Sequence, residues 1–153
     1  MIPKTEIRCS LIYNRLFNKK FSKKDYFKLI KDSEKFEKLY NKHIKKILQL
    51  IEKYHSKKWK RDFIPIYIVK EAPYSFSDPL TLIYKKDEKY MLVVLAHELL
   101  HNNSFGKKKI KDRKNLHIYM EPINNKVVES LNIDLKKELY LFNERIKKHY
   151  NIK

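Results

Sequence analysis

The 153-residue chain contains a single glycine, Gly106, and five prolines. Glycine supplies the positive-φ corners of tight hairpins and bulges. A chain with almost none is poorly equipped for an all-β or loop-rich fold. Charged residues are 35% of the sequence and hydrophobic residues 42%, with Lys, Ile, Leu and Tyr prominent. That balance excludes a disordered chain and favours amphipathic helices around a hydrophobic core. The length suits one domain, residues 1–153, with residues 1–32 as a helical N-terminal extension.

Hydrophobic spacing sets the expected order of elements. Residues 5–18 and 23–32 read as short helices, with Ile7, Leu11, Ile12 and Leu16, then Phe27 and Ile30, on one side. Ser22 and Asp25 are suited to open the second. From Ser33 to about Lys58, residues Phe36, Tyr40, Ile44, Ile47, Ile51 and Tyr54 recur at helical steps, which predicts a long helix capped by Ser33. The period then changes. Ile64–Val69 and Leu80–Tyr84 read as strands, with a Pro- and Ser-rich loop between them. Asp87–Asn103 is expected to be helical and apolar nearly all round, hence buried, with Asn102, Asn103 and Gly106 ending it. Residues 107–114 read as a basic loop. A further helix is expected within 115–132, and a last one over Asp134–Tyr150 with Leu135, Leu139, Phe142 and Ile146 on one face. The fold class is therefore α+β: a helix-rich, compact domain with a small sheet.

The formal net charge of +18 is unevenly spread. Residues 1–61 hold 19 Lys and Arg against 6 Asp and Glu, and residues 107–153 hold 13 against 6. Residues 62–106 hold 4 against 6, so the middle of the chain is not basic. A Lys-rich solvated surface accounts for this, and a single glutamine, Gln49, fits a heat-adapted chain. Attraction to nucleic acid is the competing explanation, but no nucleic-acid motif accompanies the charge. The lone cysteine, Cys9, excludes an internal disulfide. It reads as a small buried residue rather than a thiol that blocks a metal. No apolar run reaches membrane-spanning length and no signal peptide is expected, so a cytoplasmic protein with no membrane partner is expected. Nothing in the sequence fixes an oligomeric state.

The chemistry is carried by His97-Glu98-Leu99-Leu100-His101, an HExxH. Histidines at i and i+4 project from one helix face, so their ring nitrogens can meet on one zinc ion. Glu98 is rotated about a hundred degrees from His97 and can take a proton from a bound water. Two histidines and a glutamate are costly to bury on an apolar helix unless a partner compensates them. A metal ion is such a partner.

A catalytic zinc needs a third protein ligand and one open position. Glu121, Glu129 and His117 are the downstream candidates. Glu121 is preferred: it follows His101 by 20 residues, and Pro122 would place it at a helix start. Asn125, one turn on, could orient a ligating histidine. Glu129 competes from a more regular helical stretch. His117 and Tyr119 are alternatives for contacting substrate or steadying an oxyanion.

His97 to His101 followed by Glu121 resembles the gluzincin zinc peptidases, which pair HExxH with a glutamate on a following helix. The layout over about residues 34–131 resembles the archaeal minigluzincins: backing helix, small sheet, active-site helix, glutamate helix. Residues 1–32 have no match in that pattern, and Asn125 stands where the family usually has an aspartate. The resemblance implies a zincin-like fold and a zinc-dependent endopeptidase with Glu98 as general base. It also implies a peptide or protein substrate pairing with an edge strand, expected at Leu80–Tyr84. Two other classes of function remain: a catalytically idle zinc-containing binding protein of the same fold, and a basic nucleic-acid-binding module in which the HExxH is incidental.

Overall fold

The structure, a computed structural model, describes residues 1–104 and 113–152. Its elements are β1 (Lys4–Cys9), α1 (Leu11–Phe17), α2 (Lys23–His55), β2 (Phe63–Val69), β3 (Phe76–Ser77), β4 (Leu80–Ile83), α3 (Glu88–Ser104), α4 (Arg113–Glu129) and α5 (Lys136–Tyr150). The α+β class with a small sheet is as expected. The basic loop read at 107–114 falls mostly on residues 105–112, outside the described residues. Its last two positions, Arg113 and Lys114, already belong to α4.

The N-terminal segment departs from its helical reading. Lys4–Cys9 is a strand, pairing in parallel with β2 from Lys4 opposite Phe63 to Cys9 opposite Ile68. Its signal is the alternation of Lys4, Glu6 and Arg8 with the half-buried Thr5, Ile7 and Cys9. The helix begins only at α1, where Ser10 accepts the Tyr13 N–H. Cys9 is half-buried, with its Sγ 3.9 Å from Ser33 Oγ, and burial raises its thiol pKa.

The two helices expected at 23–32 and 33–58 are one. A Ser22–Asp25 capping box opens α2, and the helix then runs 33 residues, about 50 Å at 1.5 Å per residue. Neither glycine nor proline interrupts it. Ser33 is therefore not a cap. It is a buried mid-helix residue whose hydroxyl donates to the Ile30 carbonyl. Its neighbours along the buried face are Leu29, Phe36 and Tyr40. The helix ends where Ser56 takes a left-handed conformation, φ 54°.

The sheet order is β1-β2-β4-β3, parallel across the first three strands and antiparallel between β4 and β3. This corrects the expectation that Leu80–Tyr84 forms the edge. Phe76 and Ser77 pair with Thr81 and Leu80, and Ser75 Oγ accepts the Ile83 N–H, so β4 is interior. The edges are β1 and β3. β2 and β4 bury Ile64, Ile66, Ile68, Leu80 and Leu82 against the helices.

α3 lies at the centre, packed on α2, α4, α5, β3 and β4. Eleven of its 17 residues are buried, so it has no polar face to give to water. Asp87 accepts the Tyr90 N–H at its start. At its end Asn102 Nδ2 donates to the Ser77 carbonyl, and Asn103 Oδ1 accepts from His55 Nδ1 at 2.6 Å. Read as helix stops, these asparagines instead tie α3 to β3 and to the end of α2. Among the described residues, no helix is long and apolar enough to cross a membrane.

One buried amide holds the β1–α1 corner to the sheet. Asn14 donates to the Ser10 and Ile68 carbonyls and accepts the Lys70 N–H at 2.9 Å. Asn14→Ala strands these backbone groups and is expected to cost about 2 kcal/mol. Urea denaturation would show it as a lowered midpoint at unchanged slope. An unchanged midpoint would mean that the bridge is dispensable.

Candidate metal and catalytic site

The histidines of the HExxH come together as expected, and a third histidine joins them. His97 and His101 of α3 bring their Nε2 atoms to 3.0 Å, and His117 Nε2 of α4 lies 3.3 Å from that of His101. The three ligand atoms all fall within 4.8 Å of one another, an arrangement that could hold a metal ion.

Local structure explains why His117 is there. α4 is already helical at Arg113, ahead of the expected 115, which gives the helix a full turn before His117. The His117 Nδ1–H donates to the Arg113 carbonyl at 2.7 Å. That bond fixes the tautomer and leaves the Nε2 lone pair aimed at the other two rings. Tyr150, near the end of α5, stacks on His117 at 4.1 Å between ring centroids, and Phe142 packs edge-on to His97 at 4.9 Å. α5 thus walls the cluster on one side.

Glu121, the preferred third ligand, is not part of the cluster. It lies one turn beyond His117, half-buried, with Oε1 3.9 Å from Lys147 Nζ. The reason is its level along the helix, about 6 Å beyond His117 on much the same face. Glu121 is mid-helix rather than at a helix start, and Pro122 sits inside α4 rather than in its first turn. Asn125 Oδ1 accepts from Asn143 Nδ2 at 3.0 Å, so it orients α5 and no histidine. Glu129 is exposed at the last position of α4. Tyr119 is 42% exposed and faces His55, with the rings 6.1 Å apart, away from the cluster.

Electrostatics suit a cation at this position. Burial, reinforced by the other two histidines, holds His97 well below the ordinary histidine range. Burial and then His117 push His101 down to about 3. His117 is lowered by burial, against the opposing pull of its bond to the Arg113 carbonyl. All three imidazoles are therefore neutral at neutral pH and have lone pairs to give. His97 Nδ1 is buried and has no hydrogen-bond partner among the described residues. Glu98 is 8% exposed, and burial raises its carboxyl to about 8.

A cleft of about 170 Å³ opens on this group, with His97, Glu98 and His117 in its lining. The first two belong to the HExxH, and the third is a downstream candidate to which the sequence pattern prefers Glu121. Tyr150 escaped that pattern, although the spacing Phe142–Ile146–Tyr150 continues the apolar face read on the last helix. No family model, no curated protein and no solved structure matches this chain.

Proposed function

We propose that the protein is a zinc-dependent metallopeptidase that hydrolyses peptide bonds, with His97, His101 and His117 as the zinc ligands and Glu98 as the general base. The convergence of three neutral Nε2 atoms on a cleft that a buried glutamate also lines carries this proposal. Ligand nitrogens around a tetrahedral zinc at 2.0–2.1 Å stand roughly 3.3 Å apart, close to the separations of 3.0 and 3.3 Å found here. Three histidines with one position left open is also a donor set used by catalytic zinc. The proposal does not depend on the gluzincin resemblance, whose glutamate falls at Glu121.

Zinc held there would supply a Lewis acid and an acidified water. The chain supplies the rest. The Arg113 carbonyl keeps His117 in the tautomer that offers Nε2. Glu98, one residue on from His97, would be drawn into its ionised form by a cation at the histidines, against the burial that raises it, and so takes the proton of the attacking water and passes it to the departing amine. The apolar cleft wall and α5 limit the access of other water to the reacting carbonyl.

Two measurements test this together. Protein purified without chelator is expected to carry about one zinc per chain by elemental analysis. It is also expected to cleave a denatured protein substrate, with activity lost to a chelator and restored by zinc. Zinc without cleavage would leave a binding protein of the same fold. No zinc would remove the metalloenzyme altogether and return weight to a basic nucleic-acid-binding module.

A further inference from the structure

The cleft beside the histidines joins two unlike surfaces. Its inner wall is apolar, built by Leu82 and Ile83 of β4, Met91 and Val94 of α3, and Phe142 and Ile146 of α5. At about 170 Å³ it has room for one large side chain, since an apolar cavity of about 150 Å³ takes up benzene. The rim is cationic. Lys85, Arg113 and Arg145 line it, and among the described residues the only acidic side chain in the lining is the buried Glu98. Lys85, Arg113 and Arg145 are exposed, and none of them takes part in the ion pairs seen among the described residues. Arg145 is steadied by the Tyr90 hydroxyl at 3.5 Å.

We infer that this cleft selects acidic peptides: a large apolar side chain enters the pocket beside Glu98, and flanking Asp or Glu residues pair with Arg113, Arg145 and Lys85. The inference rests on the proposed peptidase function and names its substrate class. An exposed ion pair contributes little alone. Two or three together give about a 10-fold preference for acidic over neutral flanks. The buried side chain adds a further factor of about 10 or more over glycine. The preference resides in the rim and not in the +18 charge of the whole chain, because lysines far from the cleft cannot reach the flanking residues through salt.

The test is peptide binding to zinc-loaded Glu98→Gln protein, read by fluorescence anisotropy, so that cleavage does not consume the probe. The peptides share a central Phe or Gly and carry acidic, neutral or basic flanks. Expected are the order acidic, neutral, basic, a loss of about 10-fold or more on Phe-to-Gly exchange, and fading of the flank preference as salt rises. Arg113→Glu with Arg145→Glu should reverse the order. Lys24→Glu with Lys42→Glu, an equal change of net charge on α2, should leave it intact. No binding, equal binding of all flanks, or the same loss from the α2 pair would overturn the inference. Binding in the expected order with no cleavage by the wild-type protein would instead overturn the peptidase function and leave the cleft's selectivity standing.

Discussion

Glu98→Gln is expected to lower peptide hydrolysis by about 10²- to 10⁴-fold, the range associated with losing a positioned acid–base group, while zinc content stays near that of the wild type. The amide keeps the shape of the carboxyl group and cannot accept the proton. Glu98 is not one of the clustered nitrogen donors, so its exchange leaves the metal ligands in place. Burial already holds its carboxyl up at about 8, so a neutral amide at this position is not expected to destabilise the helix. The measurement pairs initial rates on a denatured protein substrate with elemental analysis of the same preparation. Undiminished hydrolysis would remove Glu98 from the chemistry, and a parallel loss of zinc would make it a ligand or a support for one.

His117→Ala is expected to weaken zinc binding by at least about 100-fold, and Glu121→Gln by less than about 3-fold. Supporting groups outside the ligand set typically tune affinity by 10- to 100-fold, so loss of a ligand should reach or exceed the upper end of that range. His117 aims Nε2 into the cluster, while Glu121 faces Lys147 at 3.9 Å. Competition with a chromogenic chelator reads the two affinities, and circular dichroism checks that α4 remains folded. The reverse ranking, with Glu121→Gln losing the metal and His117→Ala keeping it, would place the third ligand where the gluzincin pattern has it.

Local pattern was a sound guide where one signal dominated. The apolar run ahead of His97 has only helix to explain it, and α3 lies within a residue of its expected bounds at each end. The β-branched stretch at Ile64–Val69 likewise became β2. Two signals competed in residues 4–17. Ile7, Leu11 and Leu16 can be fitted to a helix, while the alternation from Lys4 to Cys9 asks for a strand, and pairing with β2 decided it. Ser33 resembled a cap because serine often is one. Only the packing of α2 shows that its hydroxyl turns back to Ile30.

By itself the sequence determined the helical character of the chain, the HExxH on a buried helix, and the types of group available for a metal site. Helical periodicity places His97 and His101 on one face wherever that helix packs. Tertiary structure alone decided which distant residue joined them. His117 and Glu121 are one turn apart on the same helix, and chemistry permits either. The two share much of one face but lie about 6 Å apart along the axis; it is the level of His117 that meets His101 and the stacked Tyr150, while the level of Glu121 lies beside Lys147. The cationic rim has the same origin. Residues 62–106 are not basic in sequence, yet folding brings Arg113 and Arg145 from the basic C-terminal third to the mouth of the cleft. Charge along a chain is additive, but the field over a cleft depends on which segments the core brings together.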